Sequence, residues 1–165
     1  MQINYLEGGD FEIRTKDAKI LLTPKEIDVM GFKIRGAGEY ERKGVFIEGV
    51  YADGAGEVFV IRAEGVNICY PGIITGVVSD EASKQIGDID ILFLPLGEMG
   101  SLSLKDAEKL IAKIDPRVVI PMLYQDITPF SETNNIKEPE IDSYKFKKTE
   151  LPEEERKFVI LKPSR

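Results

Sequence analysis

Histidine is absent from all 165 residues, tryptophan is absent too, and cysteine occurs once, at Cys69. Without imidazole the chain lacks the commonest metal ligand and the usual acid–base group near neutral pH. A single thiol excludes an internal disulfide framework and points to a reducing compartment. No apolar run approaches the roughly 20 residues needed to span a bilayer. The opening residues, Met1-Gln-Ile-Asn-Tyr-Leu-Glu-Gly, lack the basic start and apolar stretch of a signal peptide. The expected setting is the cytoplasm, with no membrane association.

Basic residues are outnumbered, 22 against 29 acidic ones, for a net charge of −7. That excess works against non-specific binding to nucleic acid, so no nucleic-acid partner is expected. A local basic cluster does occur near the C-terminus, at Lys145, Lys147, Lys148, Arg156, Lys157 and Lys162. Glu150, Glu153, Glu154 and Glu155 are interspersed with it, and the segment reads as a mixed, solvated surface.

Short apolar runs separated by turn residues fill the first seventy positions: Gln2–Leu6, Phe11–Arg14, Ala18–Leu22, Phe32–Arg35, Val45–Tyr51, Glu57–Arg62 and Val66–Tyr70. Several alternate in character as half-buried strands do, and Asp53-Gly54 and Glu64-Gly65 supply hairpin turns. The pattern predicts an antiparallel meander, with the doubly apolar run at Glu57 in a central place. Farther on, Ser79 opens a short helix and Asp90–Pro95 is a buried strand. Ser103 and Asp106 frame a second helix with Leu104, Ala107, Leu110, Ile111 and Ile114 on one face. Arg117–Pro121 is the next strand, and the strand–helix–strand unit predicts a parallel pair with a right-handed crossover. Residues 126–142 are polar and carry two prolines, which predicts a loop excursion. Tyr144–Thr149 and Lys157–Leu161 read as closing strands. The length suits a single domain over 1–165.

Tests for chemistry return little. Gly36-Ala-Gly38 lacks the third glycine of a dinucleotide fingerprint and leads into a strand, so it is a tight turn. No Asp-x-Asp-x-Asp-Gly calcium loop is present, and Asp88 and Asp90 read as loop acids beside a strand. Cys69 ends an apolar strand without a base to activate it, as an inert buried thiol does. Ser79 and Ser101 sit where cap or turn serines belong rather than in a serine–lysine dyad.

Four segments, taken in order, carry a resemblance. They are Gly36-Ala-Gly-Glu-Tyr-Glu-Arg-Lys-Gly-Val-Phe-Ile-Glu-Gly, Val58-Phe-Val-Ile-Arg-Ala-Glu-Gly-Val-Asn-Ile-Cys-Tyr-Pro-Gly, Ile86-Gly-Asp-Ile-Asp-Ile-Leu-Phe-Leu-Pro-Leu-Gly and Ile114-Asp-Pro-Arg-Val-Val-Ile-Pro-Met-Leu-Tyr. The set, with the opening Ile3-Asn-Tyr-Leu-Glu-Gly-Gly-Asp-Phe-Glu-Ile, resembles the compact zinc-hydrolase-like branch of the metallo-β-lactamase superfamily across most of residues 1–125. The resemblance implies an α/β fold, an αββα sandwich of two mixed sheets facing each other with helices outside. It also implies a metal cleft at one edge of the sheets. Here the ligand positions are changed: Gly8, Tyr70 and Leu123 stand where the family has histidines, and Thr23 and Ile73 where it has aspartates. The His-x-His-x-Asp-His loop is missing between Pro24 and Gly31.

The resemblance therefore implies a degenerate member with no catalytic residues, no metal and no cofactor, its cleft filled by Tyr70, Ile73 and Leu123. Two uses remain for such a scaffold. One is a non-catalytic binding or assembly module, acting as a homo-oligomer or with a partner protein. The other is a metal-independent enzyme or small-ligand binder with Glu39, Tyr40, Tyr70 and Tyr124 around a remodelled cleft, or a hydrolase completed by a partner chain.

Overall fold

A computed structural model describes residues 1–97 and 102–164. Nine strands come first: β1 (Gln2–Tyr5), β2 (Phe11–Arg14), β3 (Lys19–Leu22), β4 (Ile27–Val29), β5 (Phe32–Ile34), β6 (Gly38–Arg42), β7 (Val45–Tyr51), β8 (Glu57–Ala63) and β9 (Val66–Tyr70). Then follow α1 (Asp80–Ile86), β10 (Ile91–Pro95), α2 (Leu104–Ile114), β11 (Val118–Met122), α3 (Thr128–Thr133), β12 (Tyr144–Lys145) and β13 (Lys157–Phe158). The meander forms because short alternating runs are joined by tight turns. Met30-Gly31, Lys43-Gly44 and Glu64-Gly65 each place both central residues at positive φ, between the strand pairs Val29–Phe32, Arg42–Val45 and Ala63–Val66. That backbone matches the right-handed twist of the flanking strands.

The strands divide into two sheets, ordered β12-β1-β2-β3-β4-β5 and β13-β11-β10-β9-β8-β7-β6. The first is antiparallel throughout. The second is mixed: β6 to β9 pair antiparallel, while β9, β10, β11 and β13 run parallel. The doubly apolar β8 is indeed interior, and β10–α2–β11 is the expected parallel unit.

Alternation along the strands builds two cores. Ile3, Phe11, Ile13, Ile20, Leu22 and Ile27 of the first sheet meet Ile47, Ile61, Ile68, Ile91, Phe93 and Ile120 of the second. Val58, Val60, Cys69, Leu92, Leu94 and Val119 face the other way, against Ala82 and Ile86 of α1, Leu110 and Ile111 of α2, and Phe130 of α3. All three α-helices among the described residues thus cover the second sheet. The α/β sandwich of two facing sheets is as expected; the first sheet is antiparallel rather than mixed, and the helices among the described residues lie on one outer side only.

The outer side of the first sheet is adapted to water. The register lines up Asn4, Glu12, Leu21, Asp28 and Lys33 across it, with Gln2, Arg14 and Lys19 in the next row. Glu12, only 5% exposed, lies beneath the stems of Arg14 and Lys19 and is ion-paired to both. Long cationic side chains lying over the sheet shield its backbone while their charged ends stay hydrated.

Two expectations at the C-terminal end are corrected. The 126–142 segment contains α3, anchored by Phe130, which packs edge-to-face on Phe158. Its one apolar anchor was too little to register as a helical pattern. The closing strands are only two residues each, and Lys148–Glu150 forms a turn of 3₁₀-helix. Strand β4 and edge strand β6 carry too short or too polar a run to be read from sequence.

Candidate functional site

Four of the positions where the resemblance leads one to expect metal ligands fall at one end of the sandwich: Gly8 between β1 and β2, Thr23 after β3, Tyr70 at the end of β9 and Leu123 just after β11. In place of a long loop, residues 23–26 make one tight turn. The Thr23 amide donates to the Glu26 carbonyl (3.0 Å), and the Thr23 hydroxyl accepts from the Glu26 amide (3.1 Å). That turn sets Pro24 against the neighbouring loops.

The space between these loops is filled. Gly9 has φ +90°, and a Cβ there would lie 2.3 Å from Leu123 Cδ2 and 3.4 Å from Pro24 Cγ. A Cβ on Gly72 would lie 3.5 Å from the Pro24 carbonyl oxygen and 4.0 Å from Tyr70 Cε1. Leu123 is 6% exposed and Tyr70 1%. The Tyr70 ring packs edge-to-face on Phe93, centroids 5.6 Å apart, and Phe93 does the same on Phe11 at 4.8 Å. Leu123 itself sits at φ +62°, a left-handed conformation costing a branched side chain on the order of 1–2 kcal/mol. Its packing against Gly9 and Pro24 holds it there. Ile73, in contrast, is 49% exposed and does not take part. The expectation that it helps fill the cleft is overturned, because the chain beyond Gly72 turns outward.

The Tyr70 hydroxyl is buried with no hydrogen-bond partner among the described residues. Burial pushes its pKa up, with the nearby Asp10 charge adding to the effect, so it stays a neutral phenol. Burial, then the Glu7 charge, likewise raises the Asp10 carboxyl. The residues at this end do not fit a catalytic metal of the fold family. Gly8, Thr23, Tyr70, Ile73 and Leu123 offer no imidazole, thiolate or carboxylate, and the Leu123 side chain occupies the centre. Among the described residues no group of three or more His, Cys, Asp or Glu is arranged to hold a metal ion.

Of the four residues expected to line a remodelled cleft, the structure does not unite them. Glu39 is aligned with Glu48, Val60 and Cys69, on the helix-facing side of the second sheet, opposite to Tyr70. Three strand spacings separate it from Cys69, about 14 Å. Tyr40 faces the inter-sheet core from the edge strand, and its hydroxyl donates to the Gly36 carbonyl at 3.1 Å. Both are corrected: register, invisible in single-sequence inspection, puts them elsewhere. Tyr124 lies across the sheet from Tyr70, in a pocket of ≈ 280 Å³ with Leu96, Leu102, Leu104, Asp126 and Phe130. Gly9, Pro24 and Phe93, which complete the plug, were not singled out from sequence. The doubled Gly8-Gly9 was the one local signal.

Other candidates resolve into structural roles. Cys69 is buried and its thiol is pushed up to about 12 by burial. Ser79 caps α1 through the Ala82 amide, and Ser101 lies outside the described residues. Asp90 does stand in the loop just before β10, but it is buried: at 4% exposure it accepts from Lys148 Nζ (2.5 Å) and the Asn67 amide (2.8 Å), with Arg117 Nε at 3.5 Å. Lys148, Arg156 and Lys157 of the basic cluster are engaged by Asp90, Asp115 and the Tyr144 ring.

Similarity to known proteins fixes the lineage. A family model described as a beta-lactamase superfamily domain matches residues 2–123. The chain belongs to the metallo-β-lactamase superfamily. It is 33% identical over 138 residues to a UPF0173 metal-dependent hydrolase of Pyrococcus abyssi, covering 76% of this chain and 56% of the relative. A relative of the same description from Methanosarcina barkeri is 30% identical over 141 residues, 83% of this chain and 56% of its own length. This superfamily member thus spans little more than half the length of those two relatives. Among solved structures, a putative Zn-dependent hydrolase of the superfamily from Thermotoga maritima shares the fold. Its TM-score is 0.81 at 22% identity, covering 98% of both chains. A novel metallo hydrolase from Ignicoccus hospitalis follows at TM-score 0.64 and 13% identity, covering 88% of this chain and 99% of that one. The compact metallo-β-lactamase frame therefore recurs in chains of similar extent.

Proposed function

We propose that this protein is a non-catalytic metallo-β-lactamase-fold module that binds or assembles with a partner, a second copy of itself or another protein. One observation supports the reading: Leu123, buried like Tyr70, packs against Gly9 and Pro24 where the fold family would need open, ligand-bearing loops. A leucine side chain in that place can neither hold a metal nor activate a water. Removal of imidazoles alone would have left a cavity or an unneutralised carboxylate cluster, both costly. Relatives carry the name metal-dependent hydrolase, and that activity is not carried over to this chain. Completion by a partner's histidines is disfavoured by the same plug.

The test is elemental analysis of the protein purified from zinc- and manganese-supplemented medium. The reading expects metal well below one equivalent per chain; a stoichiometric, tightly held metal would sink it. No helix among the described residues is long and apolar enough to cross a membrane, and the cytoplasm is our proposed location on the strength of the single buried thiol.

A further inference from the structure

The kink at Leu123 has effects on both faces of the second sheet. Along β11, Ile120 and Met122 point into the inter-sheet core and Val119 into the helix-side core, as alternation requires. Leu123, the next residue, also points inward, because its left-handed φ resets the phase. Tyr124 is thereby thrown to the helix side, where it becomes a wall of the ≈ 280 Å³ pocket. One backbone turn thus places Leu123 between the sheets and Tyr124 at a cavity on the opposite side of the second sheet.

That cavity lies beyond the carboxyl ends of the parallel neighbours β10 and β11, between the starts of α2 and α3. Loops at the carboxyl ends of parallel strands are a common place for ligands. Its floor is apolar: Leu96, Leu102 and Phe130 are each 5% exposed or less. Its rim holds Tyr124 and Asp126, and no lysine or arginine among the described residues lines it. The Asp126 carboxylate accepts the Thr128 amide at 2.9 Å, which holds its pKa below the usual carboxylate range and keeps it anionic. Burial, with the Glu140 charge, pushes the Tyr124 phenol up to about 12, so it is a neutral ring beside that anion. The partial positive charge at the start of α2 is met by Asp106 in its first turn. An apolar floor with an anionic, aromatic rim selects an apolar body bearing a cation.

We propose that this pocket binds a small amphipathic amine, its apolar body on Leu96, Leu102 and Phe130 and its ammonium at Asp126 and Tyr124. The proposal goes beyond the module reading above, and the two fail separately. Bound metal would overturn the first without touching amine binding, and lack of amine binding would leave the metal result as it stands.

The experiment titrates the full isotope-labelled chain with phenethylamine, followed by amide shifts in low salt, with phenethyl alcohol as the uncharged counterpart. A nine-atom probe should saturate with a Kd of roughly a millimolar, a realistic efficiency for a fragment. Shifts should cluster at Leu96, Leu102, Tyr124 and Asp126. Asp126→Asn, which keeps the acceptor for the Thr128 amide, should weaken the amine about 3- to 5-fold, as expected for a solvent-accessible ion pair. It should leave the alcohol unchanged. Leu104→Trp, at a 36% exposed position on the rim, should block both probes without disturbing the core. The proposal is overturned by non-saturating shifts, by shifts centred elsewhere, or by amine affinity indifferent to both variants.

Discussion

Replacing Tyr70 by phenylalanine should make the protein more stable, although it removes a polar atom from the heart of the plugged site. The Tyr70 side chain is 1% exposed, and its ring sits edge-on to Phe93, a contact phenylalanine would keep. The hydroxyl has given up water and found no protein partner among the described residues. A buried, unsatisfied group of this kind costs about 1–3 kcal/mol. Tyr70→Phe deletes that penalty at the expense of a few cubic ångströms of packing, for a net gain of about 1–2 kcal/mol. In a chain of this size each kilocalorie raises Tm by about 2–4 °C, so the midpoint should rise by roughly 2–8 °C. Since burial keeps the phenol neutral, the gain should be constant through the neutral range. Urea unfolding with matched m-values is the appropriate assay, because an altered m would signal a changed denatured state. A loss of more than about 0.5 kcal/mol at unchanged m would refute the reasoning. It would mean that the hydroxyl is satisfied in solution and that the site holds a polar partner.

Other substitutions probe neighbouring parts of the structure. Gly9→Ala should destabilise by more than about 2 kcal/mol from clash and positive φ; combining it with Leu123→Ala should recover part of the loss in a double-mutant cycle, and strict additivity would argue against the contact. Asp90→Ala should cost about 1–3 kcal/mol in chemical denaturation, chiefly by leaving the Asn67 amide without its acceptor while the exposed Lys148 and Arg117 return to water; a cost under about 0.5 kcal/mol would show that the cluster is dispensable. Asp10 has a raised folded-state pKa, so its charge opposes folding above that pKa and not below the unfolded value. Asp10→Asn should therefore stabilise at pH 7, with the gain fading as pH falls through the folded pKa toward 3.8; stabilisation growing toward acid would contradict it. Glu12 is the reverse case. Burial tends to raise its pKa, but hydrogen bonds and charges from Lys19 and Arg14 win and lower it. Its stabilising effect is complete above the unfolded value of 4.5 and is lost as pH falls through the folded pKa, so the acid limb of a stability–pH curve should flatten in Glu12→Gln.

Composition and pattern by themselves determined much about this protein. The absence of histidine leaves the chain without imidazole ligands, and the resemblance puts Gly8, Tyr70 and Leu123 where the family carries them. Alternating runs with Gly-containing turns declared the meander, and the Ser103–Asp106 cap with its apolar face declared α2 and the parallel unit around it. These are local properties, written in spacings of two to four residues. Tertiary structure decided what spacing cannot express. Register, a relation between strands, turned Glu39 away from Tyr70 and engaged the Tyr40 hydroxyl with a turn. Contact between distant loops set Leu123 into the hollow over Gly9, whereas Ile73, equally apolar, was left in solvent because its loop turns outward. The left-handed Leu123 just after β11 puts Tyr124 in a pocket on the opposite face from Tyr70. Hydrophobicity told which side chains seek a core; only the packed chain determined which core each one reached.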